Sequence, residues 1–368
     1  MLDHYLYEIN LSHFRSHIDT RLELGGAPIA IFGLNGVGKT NILEAISMLS
    51  PGRGLRRSKL GDMIRYPESI GWKISAMLKL GESVHTIETK TGPNFNRVVY
   101  IDDKPTSQIS LGKLLKIIWL TPSMDRLWMD GADTRRKFLD RIAHSFIPEH
   151  AEVVLSYEKS MKERNTLLKR SIRDLDWYGA VEEQMASSGV KINENRNFAI
   201  EKLRSAMKNI STSFPVANLT LKNYREGFNS IEFDEFRELL VNARSKDFFS
   251  HRTSVGPHRT DLIVKYQEKN LEAKNCSTGE QKALLISLIL ANARALVNEF
   301  NIPPIILLDE VAAHLDANRR KDLYAEICSL KAQAWMTGTG ANLFDEIGRD
   351  VQKFEVTFKN GSSYVTSV

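Results

Sequence analysis

The chain has 368 residues, of which 42% are hydrophobic and 26% charged, with a formal net charge of +5. That length exceeds one small core and admits two domains or a large domain with an insertion, and the composition excludes a disordered or fibrous chain. Cys276 and Cys328 have no metal-ligand spacing and fit a reduced cytoplasm, while the small basic excess leans towards a polyanionic partner without demanding one.

The opening MLDHYLYEINLSHF lacks the basic start and apolar stretch of a secretory leader. Leu6, Tyr7, Glu8, Ile9, Asn10 and Leu11 alternate and predict a β-strand, with a turn near Gly25-Gly26. PIAIFG, residues 28–33, is a continuous apolar run, the pattern of a strand buried on both faces. A helix bearing Ile42, Leu43, Ala45, Ile46 and Leu49 follows, until Pro51 and Gly52 stop it. Strand-like alternation fills roughly 70–120, with a hairpin expected at Thr91-Gly92-Pro93. From about 125 to 250 glycine is rare and charge is dense. SYEKSMKERNTLLKRSIRDLDW and KINENRNFAIEKLRSAMKNI each predict an amphipathic helix, and the two could pair as a short antiparallel arm. Alternation returns after SVGPHRTDLIVKY. Next come NCSTGEQKALLISLIL, a polar turn entering an apolar helix, and the buried-strand run IPPIILLDE. Apolar runs such as ALLISLILANA read as too short for a bilayer span, so no membrane partner is expected. The expected class is α/β: a head made of residues 1–125 and 250–368, split by a mostly helical insertion, 126–249.

GLNGVGKT, Gly33 to Thr40, matches G-x-x-x-x-G-K-[ST] after a buried strand and at a helix start. Its glycines let backbone N–H groups converge on phosphates, and the helix dipole adds positive charge. The candidate nucleotide contacts are Gly33, Asn35, Gly36, Gly38, Lys39, Thr40 and Asn41, with Lys39 reaching the β/γ-phosphates and Thr40 ligating Mg²⁺. PIILLDE ends in Asp309, suited to hold Mg²⁺ opposite Thr40, and Glu310, suited to orient or deprotonate an attacking water. The catalytic candidates are therefore Glu310, Asp309 and Lys39. Ser277 with Glu280 forms a capping box, repeated one step on by Thr278 with Gln281; capping alone would account for that turn. Asp316 in AAHLDANRR reads by itself as a helix cap.

GLNGVGKT, STGEQ, PIILLDE and HLD, in that order, resemble the Walker A, signature, Walker B and D-loop elements of an ABC-type ATPase. GKTNILEAI resembles the DNA-repair and chromosome-maintenance branch, and SPGRGLR, DTRRKFLDR and SVGPHRTDL resemble stretches of the RecF family of bacterial recombination mediators. The resemblance implies an ABC-type head with ATP and Mg²⁺ as cofactors and a slow, DNA-stimulated ATPase in the cytoplasm. It implies that Ser277, Gly279 and Gln281 face the nucleotide held by Lys39 of a second protomer, with Asp316 at the same seam of an ATP-dependent homodimer. The implied partners are double-stranded and single-strand-gapped DNA with little sequence preference, RecR, and through it RecO and the recombinase RecA.

Two departures from the ABC pattern stand out. WLTPSMDRL offers Thr121, Pro122 and Asp125 where a glutamine is usual, and QAWMTGTG offers Thr337 and Thr339 where a histidine is usual. Slow turnover is expected from the second, with His258 and His314 read as loop or cap residues and no substitutes. For DNA the candidates are Arg53, Arg56, Arg57 and Lys59 in GRGLRRSK, and Arg135 and Arg136 in the next basic stretch, although either cluster alone reads as a solvated face. Trp72, Trp119, Trp128, Trp177 and Trp335 read as core. The alternatives are the nucleotide-binding subunit of a membrane transporter, disfavoured by the long gap between phosphate loop and signature, and an SMC-like structural head.

Overall fold

The chain opens with a hairpin, β1 (His4–Phe14) and β2 (His17–Glu23), in which Leu6, Ile9, Leu11 and Phe14 point inward. The computed structural model describes residues 4–91, 96–208, 210, 212–223, 228–348 and 351–368, and the fold divides into two units. The first comprises Met1–Asp125, Ile210–Phe214 and Leu285–Val368, and the second Arg126–Asn209 and Pro215–Leu284. Elements are numbered along the chain.

In the first unit β3 (Ile29–Phe32) leads through the glycine loop into α1 (Lys39–Ser47). Then follow β4 (Lys73–Leu80), β5 (Ser83–Thr91), β6 (Arg97–Ile101), β7 (Lys104–Thr106), α2 (Gln108–Leu114) and β8 (Ile117–Leu120). Gly92 and Pro93 of the expected hairpin lie outside the described residues. The unit closes with β12 (Ile305–Leu308), α8 (Ala317–Ser329), β13 (Ala334–Gly338), β14 (Gln352–Lys359) and β15 (Ser362–Ser367). Strands β2-β1-β4-β5-β6-β7 form an antiparallel sheet. A second sheet has the order β15-β14-β3-β13-β12-β8 and is parallel except for the β14–β15 hairpin. β3, β12 and β13 are buried at every residue, the first two as continuous apolar runs require and β13 with the polar Thr337 near its end. Ile42, Leu43 and Ile46 of α1 join the same core, each worth up to about 2 kcal/mol as buried apolar surface. These central strands end together, so the residues that follow them share one edge of the sheet.

The second unit contains α3 (Ala132–Phe146), α4 (His150–Lys169), α5 (Leu175–Ala206), β9 (Ala217–Lys222), α6 (Phe233–Ser250), β10 (Asp261–Tyr266) and β11 (Leu271–Glu272). It ends inside α7 (Thr278–Phe300). α4 and α5 run antiparallel: Trp177 Nε1 donates to Glu163 at 2.8 Å and Gln184 Nε2 to Ser156 Oγ at 3.0 Å. The helix expected over SYEKSMKERNTLLKRSIRDLDW is therefore two helices. The chain leaves α4 after Lys169, Ser171 takes a left-handed φ of 53°, and Asp174 restarts the helix by accepting the N–H groups of Asp176 and Trp177. Trp177, expected in the core, is 45% exposed at that restart, whereas Trp72, Trp128 and Trp335 are buried.

Residues 250–284, read as part of the head, pack in the second unit instead. The reason is pairing: β10 is hydrogen-bonded along its length to β9 in a three-stranded antiparallel sheet, β11-β10-β9. α7 also corrects the expectation on length. At 23 residues, with mean hydropathy 1.5 in its most apolar stretch, it is long and apolar enough to cross a bilayer, yet 72% of that stretch is buried within the protein. Its apolar character is that of a core helix.

Candidate nucleotide-binding site

The loop between β3 and α1 is shaped by backbone that only glycine adopts comfortably. Gly33 has φ 147°, and a Cβ there would collide with the Val356 carbonyl of β14; Gly38, at φ 105°, caps α1, and a Cβ there would meet the hydroxyls of Ser363 and Ser16. Asn35 and Gly36 form the exposed crest. Beneath it lies a polar brace. Ser363 Oγ donates to the Val37 carbonyl and accepts from Ser16 Oγ, both at 2.6 Å, and Asn41 Nδ2 donates to Ser16 Oγ at 2.8 Å. His17, fully buried, places Nε2 3.2 Å from the Gly38 carbonyl and Nδ1 2.9 Å from Thr20 Oγ1. Burial pushes its pKa down to about 4, with Arg65 adding to the effect, so the ring is neutral at physiological pH. Lys39 curls back over the loop, Nζ donating to the carbonyls of Gly33 at 2.7 Å and Leu34 at 2.8 Å. Burial lowers its pKa, and the charges of Glu310 and Asp309 work against that shift.

Asp309 follows β12 and is 6% exposed. Its Oδ1 accepts from Thr40 Oγ1 at 2.9 Å and from Thr337 Oγ1, at the end of β13, at 2.8 Å. Glu310 takes a left-handed φ of 54°, and its N–H donates to Thr337 Oγ1 at 2.9 Å. Lys39, Thr40, Asp309 and Glu310, separated by some 270 positions in sequence, thus meet at one sheet edge. The donor set suits Mg²⁺: one hydroxyl and one carboxylate, both hard oxygens, leave room for waters and phosphate oxygens. No group of three or more His, Cys, Asp or Glu among the described residues could cage a metal by itself.

In the second unit the STGEQ turn is a reciprocal capping box. The Ser277 N–H donates to Glu280 Oε2 at 2.9 Å, and the Glu280 N–H points to Ser277 Oγ at 3.4 Å. Lys269 and Ser277 together hold the Glu280 carboxyl down at about 2. Gly279 is exposed, and nothing lies within 4 Å of the Cβ it lacks, so packing inside the chain does not require glycine there. Gln281, expected to contact nucleotide, is 7% exposed and turned inward. Its Nε2 donates to the Cys276 carbonyl at 3.0 Å, and its own carbonyl accepts from Trp128 Nε1 at 2.9 Å. It holds the turn in shape. In the first unit Asp316 caps α8, accepting the Arg319 N–H at 2.9 Å, and the His314 side chain lies outside the described residues.

Residues 5–362 match the family described as RecF/RecN/SMC N terminal domain. The DNA replication and repair protein RecF of Rhizobium rhizogenes is 40% identical over 364 residues, 96% of each chain; that of Brucella suis is 41% identical over 359 residues, 95% of this chain and 94% of its own. The chain belongs to the RecF family. A solved structure of the recombination mediator protein RecF in the RecFOR pathway, RecF-ATPrS, superposes with a TM-score of 0.85 at 25% identity, covering 100% of this chain and 98% of that one. The corresponding RecF-ATP structure gives 0.82 at 26%, covering 100% and 99%. A Pyrococcus furiosus Smc head domain, at 16% identity and a TM-score of 0.57 over 99% of this chain and 96% of its own, shares the fold. The transporter-subunit alternative falls away.

The family's basic stretches take different positions in this RecF-family chain. Arg135 and Arg136, expected on DNA, are committed internally in the second unit. Arg135 grips both carboxylate oxygens of Asp261 at 2.8 and 2.9 Å and donates to the Asp130 carbonyl, and Arg136 donates to the Thr260 carbonyl at 2.8 Å. A guanidinium with its fork already filled has little left for a phosphate. Arg56 is half spent, on Asn41 Oδ1 at 2.9 Å and the buried Glu44 at 3.0 Å, whereas Arg53, Arg57 and Lys59 are exposed and form no ion pair among the described residues. SVGPHRTDL is also internal in its unit. Partly buried His258 meets Tyr157 Oη at 2.7 Å and the Thr253 carbonyl at 3.1 Å, and its pKa is lowered by burial to about 4. The sequence reading missed Ser16, His17 and Ser363 beneath the phosphate loop, which carry no motif. Thr337 was visible only as a departure.

Proposed function

We propose that this RecF-family chain is an ATP-dependent DNA-binding protein of recombinational repair and replication restart, with two protomers pairing head to tail around ATP and hydrolysing it slowly. The observation that carries this reading is the convergence of Lys39, Thr40, Asp309 and Glu310 on one sheet edge behind a glycine loop. Lys39 exchanges its carbonyl partners for phosphate oxygens, and Thr40 and Asp309 hold Mg²⁺, which neutralises phosphate charge. Glu310 orients the attacking water and takes its proton. Ser277 and Gly279 complete the site of the second protomer. A glycine with free space above its Cα suits close approach of another chain's phosphate, and a capped helix start is also an anion site. Asp316 belongs to the same seam. Arg53, Arg57 and Lys59, with Arg56 behind them, track duplex or gapped DNA through its backbone, giving salt-dependent binding with little sequence preference. Membership of the family supports RecR, with RecO and RecA beyond it, as partners, and a cytoplasmic setting.

Steady-state ATP hydrolysis, measured against protein concentration with and without a duplex carrying a single-stranded gap, tests the reading. Rates per protomer should rise with concentration and again with DNA, and Glu310→Gln should bind ATP without turning it over. A rate independent of both concentration and DNA would return STGEQ to a helix cap.

A further inference from the structure

The hydroxyl of Thr337 is used in two directions. It donates to Asp309 Oδ1 at 2.8 Å and accepts the Glu310 N–H at 2.9 Å. A threonine hydroxyl has one proton and two lone pairs, so one side chain can serve an acid and a backbone amide together. The register delivers it there: β12 and β13 are parallel with Leu308 opposite Met336, so the next residues, Asp309 and Thr337, leave the sheet side by side. Thr337 is 1% exposed, and its β-branch restricts rotation, so the oxygen is held in place. What it holds needs holding, because Glu310 is a non-glycine residue at φ 54°, a conformation disfavoured for most L-residues. Asp309 Oδ1 already accepts from Thr40 Oγ1 at 2.9 Å, so Thr337 joins the residue after the phosphate-loop lysine to the backbone of the adjacent acid.

We propose that Thr337 is the positioning residue of this site, its hydroxyl latching Asp309 and the Glu310 backbone together so that the Glu310 carboxylate keeps its aim while Asp309 ligates. The inference rests on the nucleotide reading above. It assigns a task to one of the two threonines in the stretch where a histidine is usual in ABC-type heads, and the task differs in kind: Thr337 acts through its two neighbours and carries no titratable proton.

The test uses the full chain with Thr337→Val, which keeps the shape and removes the hydroxyl, and Thr337→Ser, which restores it. Single-turnover ATP hydrolysis, equilibrium affinity for a fluorescent ATP analogue, and the Mg²⁺ concentration at half-maximal analogue binding are measured for each. Valine should lower the hydrolysis rate by on the order of 10- to 100-fold, the scale of a misaimed catalytic group. It should raise the Mg²⁺ midpoint several-fold and leave affinity at saturating Mg²⁺ within about threefold of wild type. Serine should recover most of the rate. In a Glu310→Gln background, where turnover is already lost, Thr337→Val should still raise the Mg²⁺ midpoint several-fold, since that arm of the latch passes through Asp309. Should valine prevent folding, Thr337→Ala removes the same hydroxyl and carries the same expectations. A wild-type rate in Thr337→Val, an equal loss in Thr337→Ser, or an unchanged Mg²⁺ midpoint in the double variant overturns the proposal. Failure of the wild-type chain itself to bind ATP would overturn the nucleotide reading instead.

Discussion

The second unit and the phosphate loop of the first treat buried charge in opposite ways. Among the described residues of the second unit every deeply buried ion has its counter-ion, as Glu44 of the first unit has in Arg15 and Arg56. Arg164 is fully buried with Glu182 at 2.9 Å and Asp247 at 2.6 Å, its remaining donors going to Thr253 Oγ1 and the Leu240 carbonyl, while Arg244 closes on Glu182 from the side. Arg196 is bidentate on Asp140, which also meets His150. Burial raises the Asp140 pKa, but Arg196 and His150 more than offset it and hold the carboxyl far below its usual range. The phosphate loop of the first unit differs. Lys39 is 4% exposed, yet its partners are two carbonyl oxygens and no carboxylate. Desolvated charge with exchangeable neutral partners is what an anionic ligand can displace; an arginine with both carboxylates in place offers nothing to displace. The contrast separates a site from a scaffold by how completely buried charge is matched, and DTRRKFLDR and SVGPHRTDL fall on the scaffold side.

Breaking the scaffold should give the largest effect. Arg164→Leu strands the buried Asp247 carboxylate and leaves Glu182 with Arg244 alone, and should cost about 3–5 kcal/mol in denaturant unfolding. Replacing Arg164, Glu182 and Asp247 together by apolar residues of similar volume should return much of that loss. On the site side, Lys39→Ala should leave the unfolding midpoint nearly unchanged and weaken ATP binding about 100-fold or more, roughly 3 kcal/mol, read by equilibrium titration. Acid should then sharpen the comparison within the first unit. His17 has a folded pKa of about 4 against an ordinary 6.5, so the unfolded chain binds the extra proton first. Its contribution is complete above pH 6.5 and is lost as pH falls towards 4, by up to about 3 kcal/mol, measured as unfolding free energy across that range. His17→Gln should flatten the slope. The smallest effect on stability is expected at Gly279. Gly279→Ala meets no neighbour and should stabilise α7 by up to about 1 kcal/mol, yet lower concentration-dependent hydrolysis if that glycine faces a second protomer. Stabilisation with unchanged hydrolysis would remove Gly279 from the site.

The sequence alone determined the parts whose physics is local. A phosphate loop needs its glycines, lysine and threonine within eight positions, after a buried strand and before a helix, and all of that is contiguous in GLNGVGKT. A strand buried on both faces announces itself as an unbroken apolar run, and so β3 and β12 were legible, with Asp309 and Glu310 at the end of the latter. The order of four short motifs carried the family. Tertiary structure alone decided everything that depends on register between distant strands. No local pattern shows that β14 presses its Val356 carbonyl onto Gly33, that Ser363 and His17 brace the loop from below, or that Gln281 turns inward while Arg135 closes on Asp261. Nor does one show that Thr337 stands beside Asp309: two parallel strands fix that distance, and they are joined through a helix and two turns. Side-chain identity is written along the chain, but which charges are matched is settled only when separate segments are brought within hydrogen-bonding reach.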